Sequence, residues 1–204
     1  SLLCGLLTPE EGSIVIDGID RRDSPAVIGY MLQKDHLFEW RSILSNTALG
    51  LEIHGNVSPD DKKDLLSMLK TYGLEQFSAS RPSELSGGMR QRAALIRTMA
   101  LKPDILLLDE PFSALDYQTR LEVCDDISSI IRTRGKTAIL VTHDLSEAIS
   151  VADRILILGS RPGHVTGIMK IQFNQPYDRP LARRNAPDFS VYFNQLWKEI
   201  KEHD

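Results

Sequence analysis

Between Pro103 and Pro111 the chain reads Asp-Ile-Leu-Leu-Leu-Asp-Glu. Four consecutive large apolar residues, 105–108, carry no polar alternation, so a strand made of them needs cover on both faces. Two further stretches, Thr137–Val141 and Arg154–Leu158, read as strands. Helical patterns precede all three, at about residues 87–101, 117–132 and 145–151. Strand–helix alternation of this kind predicts a parallel sheet covered by helices, an α/β fold.

The remaining segments fit around that unit. Residues 13–18 alternate like a strand running into a turn, and residues 28–32 form a second short strand ending at Gln33. From about residue 42 to 101 the pattern is helical. Ser58 and Pro59 read as the cap and first position of one helix there, and Gly73 closes it. These residues form a small inserted helical subdomain within a single domain spanning 1–204. Residues 1–7 read as an apolar helical segment whose first N–H groups lack partners. Near the other end, residues 168–173 offer a strand and 189–201 a final helix carrying Trp197, either regulatory or packed on the sheet, with packing the favoured expectation.

The net charge of −4 gives no basis for nucleic acid as a partner. Cys4 and Cys124 have neither a CxxC nor a metal-ligand spacing and read as buried thiols of a reducing compartment. No apolar stretch reaches the roughly 18–20 residues of a membrane span, and no signal peptide is present. Any membrane role therefore comes through a partner.

Two blocks carry chemistry. Leu85-Ser86-Gly87-Gly88-Met89-Arg90-Gln91-Arg92 opens a helix with two glycines. A helix N-terminus has unpaired N–H donors and about half a positive charge, and missing Cβ atoms let a phosphate approach. Ser86 can cap this helix or donate its hydroxyl to a phosphate oxygen. Asp109-Glu110 ends the apolar strand; two adjacent ionised carboxylates repel each other and suit a site holding a cation and a water.

In this order and spacing the blocks resemble the ATP-binding subunit of an ABC transporter, over nearly the whole chain. The resemblance implies a P-loop NTPase-like sheet and a homodimer sandwiching two ATP molecules. Leu85, Ser86, Gly87, Gly88 and Gln91 would then face the γ-phosphate of an ATP held mainly by the second ATP-binding subunit. Asp109 would hold Mg²⁺ through water, and Glu110 would polarise the attacking water as general base. His143, after the strand Thr137–Val141, matches the switch histidine that reaches the γ-phosphate. Gln33 matches the glutamine that senses Mg²⁺ and the water, and Ser113-Ala114-Leu115-Asp116 matches the loop linking the two sites.

Further expectations follow from the same resemblance. Phe38, Trp40 and Arg41 either belong to the core or line a cleft for a transmembrane permease subunit. Trp40-Arg41 and Arg161-Pro162-Gly163-His164-Val165 point to the nitrate, sulfonate and taurine group of importers, which also use a solute-binding protein. The subunit would sit peripherally on the cytoplasmic face of the membrane. Repair and translation ATPases of the family fit poorly, because only about 50 residues separate Gln33 from Leu85 and only one ATPase domain is present. The family's first strands, adenine-stacking aromatic and Gly-Lys-Ser/Thr phosphate loop are absent, which corresponds to roughly 40 residues. The 204-residue chain alone is accordingly expected to bind Mg-ATP weakly or not at all, and the alternative of a fragment or remnant without turnover stays open.

Overall fold

The run at 105–108 forms the first four residues of strand β4 (Ile105–Asp109), the central strand of a three-stranded parallel sheet in a computed structural model that describes residues 1–160, 162–174 and 177–203. β3 (Ile28–Met31) lies on one side of it and β5 (Thr137–Val141) on the other. Leu106 and Leu108 are buried, as the lack of alternation demands. Full burial of a leucine stabilises by about 1.5–3 kcal/mol.

Ahead of the sheet, β1 (Val15–Ile16) and β2 (Ile19–Asp20) form a small hairpin. Asp17 and Gly18 both take positive φ, 52° and 82°, the geometry of a two-residue hairpin turn whose twist matches its strands. Residues 1–7 do not form the expected helix. They make isolated turns, with Gly5 at φ +76° and Leu6 and Leu7 exposed, so no packing repays helix nucleation.

The helical stretch consists of α1 (Ile43–His54), α2 (Pro59–Thr71) and α3 (Gly87–Met99), with single 3₁₀ turns at Glu75–Phe77 and Pro82–Glu84. Ser42, Ser58 and Ser86 cap the three helices, and Ser58 forms a reciprocal capping box with Asp61. These helices have no core of their own. One apolar cluster runs from Leu65, Leu69 and Leu74 through Ala93–Ile96 to Leu106, Leu108 and Ile127 on α4 (Tyr117–Thr133).

A second cluster joins Ile149 of α5 (Leu145–Val151), Ile157 of β6 (Arg154–Leu158) and Leu196 of α7 (Pro187–His203). The final helix thus packs on a sheet as expected, through Leu196, while Trp197 stays half exposed beneath the Lys201 ammonium. A short α6 (Pro180–Arg184) precedes it and was not legible in the sequence. β7 (Val165–Lys170) starts earlier than expected, because Leu158 pairs with Val165 and Gly159 N–H donates to the His164 carbonyl.

The expectation of cover on both faces holds for β4 and fails for β5. Ile139 and Val141 are 41% and 54% exposed. Among the described residues β5 pairs only with β4, and β6 pairs antiparallel with β7 instead of extending the parallel sheet.

Candidate active site

Ligands of open α/β sheets bind beyond the carboxyl ends of the strands. The register places Met31 beside Leu108 and Asp109 beside Val141. Gln33 and His143 each follow two residues after a strand end, so the three loops converge on Glu110. Glu110 Oε1 lies 3.0 Å from His143 Nδ1, and Gln33 Nε2 donates to Glu110 Oε2 and to Ser113 Oγ at 3.3 Å each. Ser113 in turn donates to the Glu110 carbonyl.

The backbone of Glu110 is in the left-handed region, at φ +44°, and its N–H donates to the Val141 carbonyl at 2.8 Å. A glutamate there stores strain of about 1–3 kcal/mol, tolerated only where the surroundings fix it. The turn it forms aims the carboxylate at His143. An ionised carboxylate only accepts, so Nδ1 of His143 carries the shared hydrogen. The hydrogen bond and the charge of Glu110 hold the His143 pKa above its ordinary value, although the imidazole is 75% exposed.

Asp109 accepts a 2.9 Å hydrogen bond at Oδ2 from the Tyr30 hydroxyl. Tyr30 is a site residue missed in the sequence, although a tyrosine on a partly buried strand usually finds a partner for its hydroxyl. The bond to Asp109, then burial, raise its pKa. Asp109, Glu110 and Gln33 together offer only hard oxygen donors, the set that suits Mg²⁺. Among the described residues no three His, Cys, Asp or Glu side chains gather as a metal cage.

The Leu85–Arg92 block divides by exposure. Leu85, Gly88 and Gln91 are buried, whereas Ser86 is exposed and Gly87 half-buried. Ser86 Oγ accepts from the Met89 N–H at 3.3 Å, so the serine does cap α3. Gly88 faces α4, where a Cβ would meet Thr119 Cγ2 and Val123 Cγ2 at 2.8 Å each. Arg90 and Arg97 of α3 reach the loop after Gln33: Arg90 Nε bonds the Asp35 carboxylate and Arg97 donates to the carbonyls of Asp35 and His36. Neither arginine was singled out in the sequence. Asp116 is exposed and caps α4 by accepting from the Thr119 N–H, a bond that lowers its pKa.

Phe38 and Trp40 stack with ring centroids 4.7 Å apart, and Trp40 is 73% exposed, outside the core. Arg41 pairs with Glu52 at 2.6 Å. Arg161 lies outside the described residues; Pro162–His164 lead into β7, which begins at Val165. Cys124 is buried and its thiol is pushed up to about 12, while Cys4 is half-buried.

Fold and strand-end chemistry define an α/β protein with two carboxylates, an imidazole and an amide gathered at the carboxyl edge of its parallel sheet. The family model described as ABC transporter matches residues 1–113. Over 200 residues the chain is 43% identical to an uncharacterized ABC transporter ATP-binding protein, YtlC, of Bacillus subtilis (strain 168), covering 98% of this chain and 77% of the relative. It is 37% identical over 199 residues to the taurine import ATP-binding protein TauB of Rhizobium johnstonii, covering 98% and 76%. A solved dimeric structure of the ATP-binding cassette MJ0796 in a post-hydrolysis state, bound to ADP and Pi, is similar with a TM-score of 0.68 and 31% identity, over 84% of this chain and 78% of that one. The chain belongs to the ABC transporter family and is an ATP-binding ATPase cassette of it. Among the described residues no helix is long and apolar enough to cross a membrane.

Proposed function

We propose that this chain is the energy-coupling subunit of a membrane importer for a small anionic or zwitterionic solute of the nitrate, sulfonate or taurine kind. It works as a homodimer on the cytoplasmic face of the membrane, bound to permease subunits that receive solute from a solute-binding protein. The observation that carries the catalytic part is Glu110, held in a strained turn with one carboxylate oxygen on His143 and the other on Gln33. In this reading Glu110 takes the proton of the attacking water. His143 orients that carboxylate and faces the γ-phosphate, and Gln33 positions the water. Mg²⁺, when bound, neutralises phosphate charge; Asp109, fixed by Tyr30, and Gln33 would hold it. Ser86, Gly87 and the Asp116 loop would meet the partner's nucleotide, whereas Leu85, Gly88 and Gln91, expected from the resemblance to face it as well, are buried and shape the start of α3 from beneath. The solute class rests on the likeness to a taurine import protein.

The test is ATP hydrolysis by the protein supplied with a phosphate loop, wild type against Glu110→Gln. Loss of a general base lowers kcat by about 10²–10⁴ with ATP binding retained. Equal turnover by the variant refutes the assignment of Glu110, and no turnover by the wild type refutes the ATPase reading of this chain.

A further inference from the structure

His143 sits in a loop tied down on both sides. Thr142 Oγ1 donates to Glu147 Oε2 at 2.7 Å and accepts from the Asp144 N–H at 3.0 Å. Asp144 Oδ1 accepts from the N–H groups of Ser146 and Glu147, capping α5. Glu147 is 3% exposed, a depth at which a carboxylate needs a cation beside it. Burial, above all, raises its pKa.

The cation comes from α4. Arg120 places Nε 3.9 Å from Glu147 Oε1 and Nη1 3.6 Å from Asp144 Oδ2, while Nη2 donates to the Leu115 carbonyl at 3.0 Å. One guanidinium therefore touches the residue before Asp116 and both carboxylates around His143. Its Nε is buried with no hydrogen-bond partner, so the Glu147 side of the span is an ion pair one short approach away from a hydrogen bond. A planar fork presents its donors in fixed, spread directions, whereas an ammonium on a flexible stem is a compact point charge that does not fix them. A second guanidinium, Arg184 of α6, also acts electrostatically on Glu147 and leaves Nη2 buried and unpartnered.

We propose that Arg120 and Glu147 are positioning residues, a bracket through which the place of the 113–116 loop sets the place of His143 against Glu110. The bracket deepens the proposed function: it would report the state of the partner-facing Asp116 loop to the histidine of the same chain. Neither residue touches nucleotide in this reading, and each acts only through its neighbours.

The test reads the His143 ring by NMR in the full 204-residue chain with labelled histidines, the signal being assigned by its loss in His143→Gln. Asp116→Ala removes the cap of α4 and disturbs the loop. The His143 signal is expected to shift in the wild-type background and to stay put when Arg120→Lys is present. Arg184 keeps a cation beside Glu147 in that variant. Thr142→Val should abolish the shift as well, and Thr142→Ser, which keeps the hydroxyl, should restore it. An unchanged shift with Arg120→Lys or with Thr142→Val overturns the proposal; a plain charge effect of Asp116 would give that result. No nucleotide is needed, so failure here and failure of the ATPase reading are separate results.

Discussion

Gly88 has two possible uses, phosphate approach or helix packing, and the structure puts it against α4. A Cβ at this position would lie 2.8 Å from Thr119 Cγ2 and 2.8 Å from Val123 Cγ2. Both neighbours are β-branched and sit one turn apart on α4, where their rotamers are stiff, so neither methyl can swing aside cheaply. Overpacking of this kind costs about 1–3 kcal/mol. Alanine regains at most about 1 kcal/mol of helix propensity, and less in the first turn, where Gly88 lies. Gly88→Ala is therefore expected to destabilise by about 1–2 kcal/mol, lowering the urea midpoint by about 0.5–1.5 M at unchanged slope. Adding Val123→Ala relieves one of the two contacts, so the double variant should lose less than the two single losses together, with a coupling of about 0.5–3 kcal/mol. Gly87→Ala meets only the flexible end of Leu115, at 3.1 Å, and should cost less. A Gly88→Ala chain as stable as the wild type, or additive losses with Val123→Ala, would refute the packing argument.

Two further outcomes are expected. The pKa of His143 is raised by Glu110, so its contribution to stability is fully present below the ordinary imidazole value and is lost as pH rises through the raised one. The group is mostly exposed and the effect on stability is small. An NMR titration should nevertheless find the His143 midpoint falling in Glu110→Gln, and an unmoved midpoint would sink this assignment. Tyr30→Phe deletes the hydroxyl that bonds Asp109 and is expected to cost about 1 kcal/mol in urea unfolding and to weaken Mg²⁺ binding measured by calorimetry; wild-type values for both would show the bond to be idle.

Periodicity carried most of the element order because the strongest signals coincide with buried strands and capped helices. β5, α5 and β6 fall on the residues expected from the sequence. Residues 1–7 failed because an apolar helical pattern needs something to pack on, and Leu6 and Leu7 have nothing. α6 escaped because it has only five residues, Pro180–Arg184, too few for a period to emerge. The hairpin of β6 and β7 escaped because strand runs say which residues extend, not which strand each chooses. At the site, Glu110, His143 and Gln33 were legible through motif spacing. Tyr30, Arg120 and Glu147 were not, because Tyr30 meets Asp109 and Arg120 meets Glu147 across 79 and 27 residues, contacts that only the register and helix packing create.

The strain at Glu110 is the point where stability and chemistry pull apart. Its left-handed backbone places the carboxylate on His143, but glutamate is poorly suited to φ +44°. Asparagine adopts that region more readily and keeps a side chain, so it adds no glycine-like freedom to the unfolded state. Glu110→Asn gives up two contacts, of which the His143 bond is made to a mostly exposed imidazole and is weak. The relief of strain should exceed that loss, and the variant should be more stable by about 0.5–1 kcal/mol while hydrolysis falls as far as in Glu110→Gln. Urea unfolding of both variants side by side separates the terms, because Gln keeps the strain and Asn relieves it. A Glu110→Asn chain no more stable than Glu110→Gln would mean that the turn is not strained by its glutamate. The geometry at the strand end would then be set by the 2.8 Å bond from Glu110 N–H to the Val141 carbonyl alone.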